Sequence, residues 1–238
     1  MGTSGRAKLR VGRVVHIAGG KCAMTALGPE RYRVASSGGA RVETSSNQQK
    51  HEGGNPVVRW LVDRFHARVV AAVRSVSPRS ILDIGCGEGY TLGALVDAEI
   101  ASDLRGVDLS DRAVSAARIR LGAAAEVWQG DIRRLAGQGQ KHDLVLMLEV
   151  LEHLADPASI LPILAELSGG HVILSVPWEP FFRGGNLLRG QYLRRWGNHP
   201  EHVNLWGRRA FLDFISPHFE VLHTPNAFPW TLVLARVR

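Results

Sequence analysis

The stretch Ile81-Leu82-Asp83-Ile84-Gly85-Cys86-Gly87-Glu88-Gly89 decides the fold of this 238-residue chain. Apolar residues that favour β structure run directly into three glycines at alternate positions, and helix-forming sequence follows. This pattern predicts a buried strand, a tight turn and a helix N-terminus. Glycine permits positive φ angles and leaves no Cβ between main chain and ligand, and a helix N-terminus favours a nucleotide-like ligand. Such a turn also occurs without a ligand, as a simple connection between a strand and a helix.

Strands and helices alternate along the chain around this turn. Asn55-Pro56 opens a predicted helix that ends near Val76, because apolar residues recur there at helical spacing. Further strands are predicted at about 104–108, 126–128, 143–148 and 171–176, and further helices at about 90–98, 110–121 and 157–167. This alternation is typical of a parallel, doubly wound α/β sheet. Phe219–His223 and Trp230–Val237 are separated by so short a loop that they are expected to form an antiparallel hairpin at the sheet edge.

The charge of the chain is concentrated at its N-terminal end. Residues 1–50 contain nine Lys and Arg and two acidic residues, whereas residues 51–238 contain twenty of each. The basic tail, 1–50, has little apolar periodicity and is predicted to be disordered, and 51–238 is predicted to be the folded domain. The folded part therefore gives no general reason to expect nucleic acid as a partner. No apolar run is long enough for a membrane span, and the two cysteines fit no disulfide or zinc pattern, which predicts a cytoplasmic protein.

Four carboxylates accompany the predicted strands and are expected at the carboxyl edge of the sheet, where ligands of such folds bind. They are Asp83, Asp108, Asp131 and Glu149. Asp108 lies nineteen residues after Gly89, a position from which a carboxylate holds the two hydroxyls of a ribose. The alternative is that Asp108 only caps the following helix. A ribose-binding acid serves both a nicotinamide dinucleotide and S-adenosylmethionine.

The glycine spacing and the local charge distinguish these two ligands. A dinucleotide turn has the pattern Gly-x-Gly-x-x-Gly, but residue 90 is Tyr. Asp83 and Glu88 place negative charge beside the turn, which disfavours a pyrophosphate and favours a ligand with an ammonium and a sulfonium group. The sequence therefore favours S-adenosylmethionine as the cofactor.

Four motifs in the same order resemble those of class I S-adenosylmethionine-dependent methyltransferases. They are Asp83-Ile84-Gly85-Cys86-Gly87-Glu88-Gly89, Gly106-Val107-Asp108-Leu109-Ser110, Gly130-Asp131-Ile132 and Asp143-Leu144-Val145. The resemblance covers about residues 50–238. It implies a Rossmann-like, seven-stranded, mostly parallel sheet whose last strand is antiparallel.

The resemblance also implies cofactor contacts. Asp108 is expected to hold the ribose, and Asp131 and Ile132 are expected to meet the adenine. The full set of implied cofactor-binding residues is Asp83, Gly85, Cys86, Gly87, Gly89, Asp108, Leu109, Asp131, Ile132, Leu148 and Glu149.

The segment Glu149-Val150-Leu151-Glu152-His153-Leu154 carries a second group of candidate residues. A helical turn is expected to place Glu149, Glu152 and His153 on one side. Three interpretations stay open. In the first, the two acids only cap the turn while His153 packs over the cofactor. Alternatively, His153 and Glu149 are catalytic, with His153 as the general base, or all three residues bind a divalent metal. The segment is similar to one in ubiquinone-pathway O-methyltransferases and small-RNA ribose 2′-O-methyltransferases, in which such a run can bind metal. His199 or His202 would complete that ligand shell.

Residues 177–209 are predicted to form a helical or loop substrate lobe inserted after the fifth strand. The segment has six arginines, two acids and half of the tryptophans of the chain, which suits a planar or anionic acceptor. The alternative is a small cap whose aromatic residues form its own core. The predicted substrate-binding residues are Trp178, Phe182, Arg194, Trp196, His199 and His202. The lobe resembles a bacterial branch of the methyltransferases, of types 11 and 23.

The predicted function is methyl transfer from S-adenosylmethionine to a small-molecule acceptor, at a hydroxyl oxygen. The tetrapeptide Asn-Pro-Pro-Tyr, typical of amino-group and base methyltransferases, is replaced after the fourth strand by Glu149-Val150-Leu151-Glu152. The alternatives are an RNA ribose 2′-O-methyltransferase with a Glu/Glu/His metal site, a non-catalytic S-adenosylmethionine-binding protein and, more distantly, a reductase. The sequence predicts neither the acceptor nor the oligomeric state.

Overall fold

A computed structural model describes residues 56–101, 103–178 and 204–238. The helices of this part are α1 (Pro56–Val76), α2 (Tyr90–Asp97), α3 (Asp111–Leu121), α4 (Ile160–Leu167) and α5 (Arg208–Ile215). The strands are β1 (Ser80–Ile84), β2 (Asp103–Asp108), β3 (Glu126–Gln129), β4 (His142–Leu148), β5 (Ser168–Pro177), β6 (Phe219–His223) and β7 (Trp230–Val237). Short 3-10 helices span Gly122–Ala124, Ile132–Arg134 and Leu151–His153. Every predicted strand and helix within these ranges is present, and α5 is an addition.

The seven strands form one sheet in the order β3-β2-β1-β4-β5-β7-β6. β1 to β5 are mutually parallel, β7 is antiparallel to β5, and β6 is antiparallel to β7. The predicted mostly parallel α/β sheet and its antiparallel hairpin are therefore confirmed, with β7 inserted between β5 and the edge strand β6. The strand order reverses between β1 and β4, and the crevice at the carboxyl ends of these two strands is where doubly wound folds bind ligands.

Helices cover both faces of the sheet. Ile81 and its neighbour Leu82 in β1 point to opposite faces, and each joins a separate apolar core. One core receives α1, α2 and α3, through residues such as Phe65, Val69, Leu92, Leu95, Val114 and Leu121. The other receives α4 and α5, through residues such as Ile160, Leu164, Phe211 and Ile215. Because both faces of the central strands are buried, these strands are almost continuously apolar. Each fully buried aliphatic side chain contributes about 1.5–3 kcal/mol to the stability of this framework.

Two sequence predictions lie largely outside the described residues. The predicted disordered tail, 1–50, lies wholly outside them, and of the predicted substrate lobe, 177–209, only residues 177–178 and 204–209 are described. Among the helices of the described ranges, none combines the length and apolarity that a membrane crossing requires.

Candidate functional site

The glycine turn after β1 is held against β2 and the segment after β4. The φ angles of Gly85, Gly87 and Gly89 are 73°, 55° and 76°, in the left-handed region that glycine adopts without strain. The Gly85 N–H donates a 2.8 Å hydrogen bond to the Val107 carbonyl in β2. A Cβ atom on Gly85 would lie 2.4 Å from Cγ2 of Val150, so this position also excludes a side chain by contact. The turn therefore packs directly against the segment that follows β4.

Asp108 ends β2 and organises the turn with both of its carboxylate oxygens. Oδ2 accepts a 2.8 Å hydrogen bond from the Gly87 N–H, and Oδ1 accepts one of 2.8 Å from the Ser110 N–H. Ser110 is itself the N-cap of α3, because its Oγ accepts from the Ala113 N–H at 3.2 Å. Each oxygen of Asp108 retains a lone pair, and the carboxylate is partly exposed at the carboxyl edge. This geometry fits two ribose hydroxyls.

Asp83 lies inside β1 and is almost completely buried, with 2% of its surface exposed. Burial, with a smaller contribution from the negative charge of Asp108, raises the pKa of Asp83 from 3.8 to about 7. Among the described residues, no group donates a hydrogen bond to this carboxylate. A cationic ligand at the turn would therefore supply the charge partner that Asp83 lacks there, which fits the sulfonium and ammonium groups of S-adenosylmethionine.

Cys86 is a buried residue of the turn and packs against β2. A Cβ atom on Gly106 would lie 2.8 Å from its Sγ, so the two strand ends are in close contact. Burial, followed by the charges of Asp83 and Asp108, raises the pKa of the Cys86 thiol. The thiol therefore stays protonated at neutral pH and is a packing group, and only the main chain of Cys86 is suited to a ligand contact.

Leu109, Asp131 and Ile132 lie at the adjacent ends of β2 and β3. The Gly130 N–H donates to the Asp108 carbonyl at 2.9 Å, which joins the two strand ends. Leu109 is largely exposed beside Asp108, as a residue that covers a flat ligand would be. Oδ1 of Asp131 accepts from the Arg133 N–H at 3.0 Å and caps the 3-10 helix that begins at Ile132. Asp131 also pairs with the Arg133 guanidinium at 3.3 Å, an interaction that the sequence did not indicate.

Glu149 follows β4 directly but does not belong to a helical turn. Its φ angle is 59°, in the left-handed region, and its N–H donates to the carbonyl of Ser175 in β5 at 3.2 Å. Oε1 of Glu149 accepts a 2.7 Å hydrogen bond from Ser175 Oγ. The backbone and the side chain of Glu149 are therefore both directed to β5. Ser175 was not predicted as a site residue, and its one signal in the sequence is a polar residue within an apolar strand. Leu148, the residue before Glu149, pairs with Ser175 in the sheet.

Glu152 and His153 occupy the 3-10 helix that follows. The Glu152 side chain is 1% exposed and the His153 side chain 39% exposed, and Nε2 of His153 lies 3.9 Å from Oε1 of Glu152. The His153 N–H donates to the Val150 carbonyl at 3.0 Å, and Val150 is the residue that contacts the glycine turn. The main chain of His153 is therefore linked through Val150 to the glycine turn, and the imidazole has the Glu152 carboxylate on one side.

The predicted grouping of Glu149, Glu152 and His153 on one side of a helical turn is wrong. The 3-10 helix begins at Leu151, and Glu149 is turned toward β5 by its left-handed backbone. Within the described ranges, no three His, Cys, Asp or Glu side chains come close enough together to hold a metal ion. The three residues predicted as metal ligands therefore do not form a metal site among themselves. His199 and His202, predicted to complete it, lie outside the described residues.

Asn204 anchors this 3-10 helix from a distant part of the chain. Its N–H donates to the Glu152 carbonyl at 3.1 Å, and its Nδ2 donates to the carbonyls of Leu151 and Leu154 at 3.3 and 2.6 Å. Asn204 was not predicted as a site residue, because no local pattern distinguishes this asparagine from one in a loop.

Trp178 follows β5 at the same edge of the sheet. Its N–H donates to the Pro229 carbonyl at 3.0 Å, and its ring meets that of Phe228 edge to face at 5.8 Å. The other predicted substrate-binding residues, Phe182, Arg194, Trp196, His199 and His202, lie outside the described ranges. Phe228 was not predicted as a site residue.

A family model described as a methyltransferase domain matches residues 59–214. Among curated proteins, the ubiquinone biosynthesis O-methyltransferase of Nitrosospira multiformis is 33% identical over 127 residues, which is 51% of this chain and 49% of that protein. The protein of the same name from Alkalilimnicola ehrlichii is 32% identical over 164 residues, 60% of this chain and 64% of its own. The chain thus spans about half the length of the first of these relatives.

Solved structures share the fold at lower identity. The methyltransferase domain of a bacterial Hen1 protein aligns with a TM-score of 0.57 and 23% identity, over 74% of this chain and 100% of that one. Magnesium protoporphyrin IX methyltransferase from Synechocystis PCC 6803, solved with bound S-adenosylhomocysteine, aligns with a TM-score of 0.58 and 19% identity, over 84% and 90%.

Proposed function

The chain belongs to the methyltransferase domain family, as a class I S-adenosylmethionine-dependent methyltransferase, and on this premise we propose that it methylates a hydroxyl oxygen of a small molecule. The observation that carries the proposal is the exposed imidazole of His153 beside the Glu152 carboxylate, on a segment whose main chain is linked through Val150 to the glycine turn. A hydroxyl group must lose its proton to become a good nucleophile, so a base at this place suits an oxygen acceptor.

Donor binding follows from the carboxylates of the edge. Asp108 accepts the ribose hydroxyls with the lone pairs that its two backbone hydrogen bonds leave over. Asp83 attracts the positive charge of the donor from within β1. Leu109 and Ile132 enclose the adenine. The Asp131 carboxylate, part of which is not covered by Arg133, accepts a hydrogen bond from the adenine amine. Leu148 and Glu149 complete the contact from the end of β4.

His153 performs the proton transfer in this mechanism. Nε2 of His153 lies 3.9 Å from Oε1 of Glu152, so the carboxylate borders that side of the ring, and we assign acceptance of the proton to Nδ1 on the other side. Nδ1 takes the hydroxyl proton as the oxygen bonds to the methyl carbon, and the buried carboxylate of Glu152 stabilises the imidazolium that results. Bound S-adenosylmethionine supplies the methyl group on a sulfonium, whose sulfur leaves with the bonding electron pair. Glu149, whose carboxylate is hydrogen-bonded to Ser175, lies beneath the donor and the acceptor in this mechanism.

Two further observations support a small hydroxyl compound as the acceptor. The segment after β4 has no Asn-Pro-Pro-Tyr tetrapeptide, which argues against a planar nitrogen as the methylated atom. The curated relatives are named for O-methylation in ubiquinone biosynthesis, although the chain covers only part of their length.

The test is methyl transfer by the full chain from deuterated S-adenosylmethionine to a panel of phenols, catechols, aliphatic alcohols, amines and an RNA oligonucleotide, read by mass spectrometry. We expect a labelled methyl ether of a small hydroxyl compound. His153→Ala is expected to lower kcat by about 10²–10⁴-fold while the donor Kd changes less than about twofold. His223→Ala, an exposed histidine of β6, is the matched control. Labelling of amines or RNA alone, or full turnover by His153→Ala, would contradict the proposal.

A further inference from the structure

The first turns of α1 extend beyond the carboxyl edge of the sheet. Phe65 packs against Trp230 with 5.0 Å between ring centroids, and Trp230 pairs with Pro177, the last residue of β5. Helix α1 therefore passes the level of this edge near Phe65 and runs down toward the start of β1. An α-helix rises about 1.5 Å per residue, so Trp60 lies roughly 7 Å above Phe65 along the helix, at the height of a ligand resting on the edge.

Trp60 connects to the loop before β7 through Arg64. The Arg64 guanidinium lies 5.6 Å from the centre of the Trp60 ring, and its Nη2 donates to the Asn226 carbonyl at 3.4 Å. Oδ1 of Asn226 accepts from the Phe228 N–H at 3.4 Å, and Phe228 meets Trp178 edge to face. We call Trp60, Phe228 and Trp178 the aromatic wall.

The aromatic wall stands on the acceptor side of the candidate site. Across the sheet, the glycine turn follows β1, His153 follows β4, Trp178 follows β5, and Phe228 precedes β7. His153 therefore lies between the donor turn and the wall. Trp60 is 59% exposed and Phe228 41% exposed. Large aromatic side chains exposed beside a reaction site are typical of a binding surface.

We propose that the aromatic wall binds an acceptor with an extended planar ring system, and that Trp60 and Phe228 select the acceptor by the flat area that it presents. The inference rests on the proposed function for the position of the reacting hydroxyl. Aromatic rings attract one another in offset and edge-to-face arrangements, and the Trp178–Phe228 pair already adopts the second. The cation–π contact of Arg64 favours one orientation of the Trp60 ring before the acceptor binds.

The test compares two probes that carry the same reacting group, catechol and naphthalene-2,3-diol. Calorimetry on the full chain saturated with S-adenosylhomocysteine gives the Kd of each probe without turnover. For the unsubstituted chain we expect the naphthalenediol to bind at least about tenfold more tightly. Trp60→Ala and Phe228→Ala are each expected to reduce this ratio to about threefold or less, and Trp60→Phe to retain most of it. Ile119→Ala, a more exposed apolar residue on α3, is expected to leave the ratio unchanged.

Both alanine variants replace exposed side chains, and an unchanged affinity for S-adenosylhomocysteine verifies that they fold. Equal affinity of the unsubstituted chain for the two diols would overturn the inference, as would an undiminished ratio in both variants. Methyl transfer to non-aromatic alcohols with neither diol bound would overturn the inference and leave the proposed function standing. A preserved probe ratio with methyl transfer to nitrogen alone would overturn the proposed function and support the wall as a selector of planar acceptors.

Discussion

Asp108 positions the glycine turn with the same two oxygens that we expect to bind the ribose. Asp108→Ala is therefore expected to weaken S-adenosylmethionine binding by about 1–3 kcal/mol, or roughly 5–150-fold in Kd, because charge-assisted hydrogen bonds to the hydroxyls are lost. Calorimetric titration of the donor measures this change. Asp111→Ala, an exposed carboxylate three residues later in α3, is the control and should bind the donor normally. An unaltered Kd for Asp108→Ala would remove this carboxylate from the donor site.

The buried negative charge of Asp83 destabilises the donor-free protein and attracts a cationic ligand. Because burial and Asp108 raise its pKa to about 7, the folded protein binds this proton more tightly than the unfolded chain. Its contribution to stability is therefore full below pH 4 and is lost as pH rises through about 7, by up to about 4 kcal/mol for a shift of roughly three units. We expect Asp83→Asn to raise the Tm of the donor-free protein at pH 8, to change it little at pH 4, and to weaken donor binding at pH 8.

Asp143 provides the opposite control for Asp83. Its pKa is lowered, chiefly by a hydrogen bond from the Arg79 N–H, so its charged form stabilises the folded protein above the ordinary pKa of an aspartate. Asp143→Asn is therefore expected to lower the Tm at pH 8 without affecting donor affinity. Thermal unfolding at both pH values and calorimetry at pH 8 measure these effects. A lower Tm for Asp83→Asn at pH 8 would show that the buried charge is compensated in the free protein.

At the level of secondary structure, the elements specified by local patterns could be predicted. The strand–turn–helix unit of β1 and α2 and the Ser110 cap of α3 follow from apolar periodicity, glycine spacing and capping preference, which act within a few residues. Helix α5 was overlooked because its two leading arginines were assigned to the substrate lobe, although Phe211 and Ile215 have helical spacing. The left-handed backbone of Glu149 could not be predicted, because it depends on hydrogen bonds to Ser175, 26 residues away.

The 3-10 helix that carries His153 depends on such a distant contact. Asn204→Ala removes the side-chain donor from the carbonyls of Leu151 and Leu154, which is expected to reduce stability by about 1–2 kcal/mol. Because the imidazole loses its support while Asp108 and the glycine turn do not, kcat is expected to fall and the donor Kd to stay constant. Urea unfolding and steady-state kinetics separate the two effects. Asn204→Asp keeps the size of the side chain but not its donor and is expected to behave similarly; wild-type kcat in both variants would exclude a positioning role.

At the scale of the whole folded domain, the strand order places the groups proposed for donor binding, proton transfer and acceptor binding side by side along the carboxyl edge of the sheet. The proposed donor-binding residues lie at the ends of β1, β2 and β3, the proposed base follows β4, and the aromatic wall adjoins β5 and β7. The antiparallel insertion of β7 matters here, because it brings the loop before that strand to the carboxyl edge beside Trp178. The sequence predicted the hairpin from its short loop, but the contact between this loop and α1 joins segments more than 160 residues apart. No local sequence pattern predicts such a contact.

The folded domain is expected to lose stability on acidification, because burial keeps two histidines neutral in the fold. Burial lowers the pKa of His66 to about 4 and also lowers that of His142, whose Nδ1 has no hydrogen-bond partner among the described residues. Since the unfolded chain binds these protons at the ordinary pKa near 6.5, stability is full above that value and is lost as pH falls toward 4.

His142→Met removes both the unpaired nitrogen and the proton linkage from this part of the core. We expect the variant to match or exceed the wild-type free energy of unfolding at pH 7.5, by up to about 1 kcal/mol, because an unsatisfied polar atom is replaced by an apolar one. Its loss of stability between pH 7 and pH 5 is expected to be smaller than that of the wild type. Urea unfolding at pH 5, 6 and 7.5 measures both effects, with His223→Met on the exposed face of β6 as control. A pH profile parallel to that of the wild type would show that His142 remains neutral in the unfolded chain as well, or is protonated without penalty in the fold.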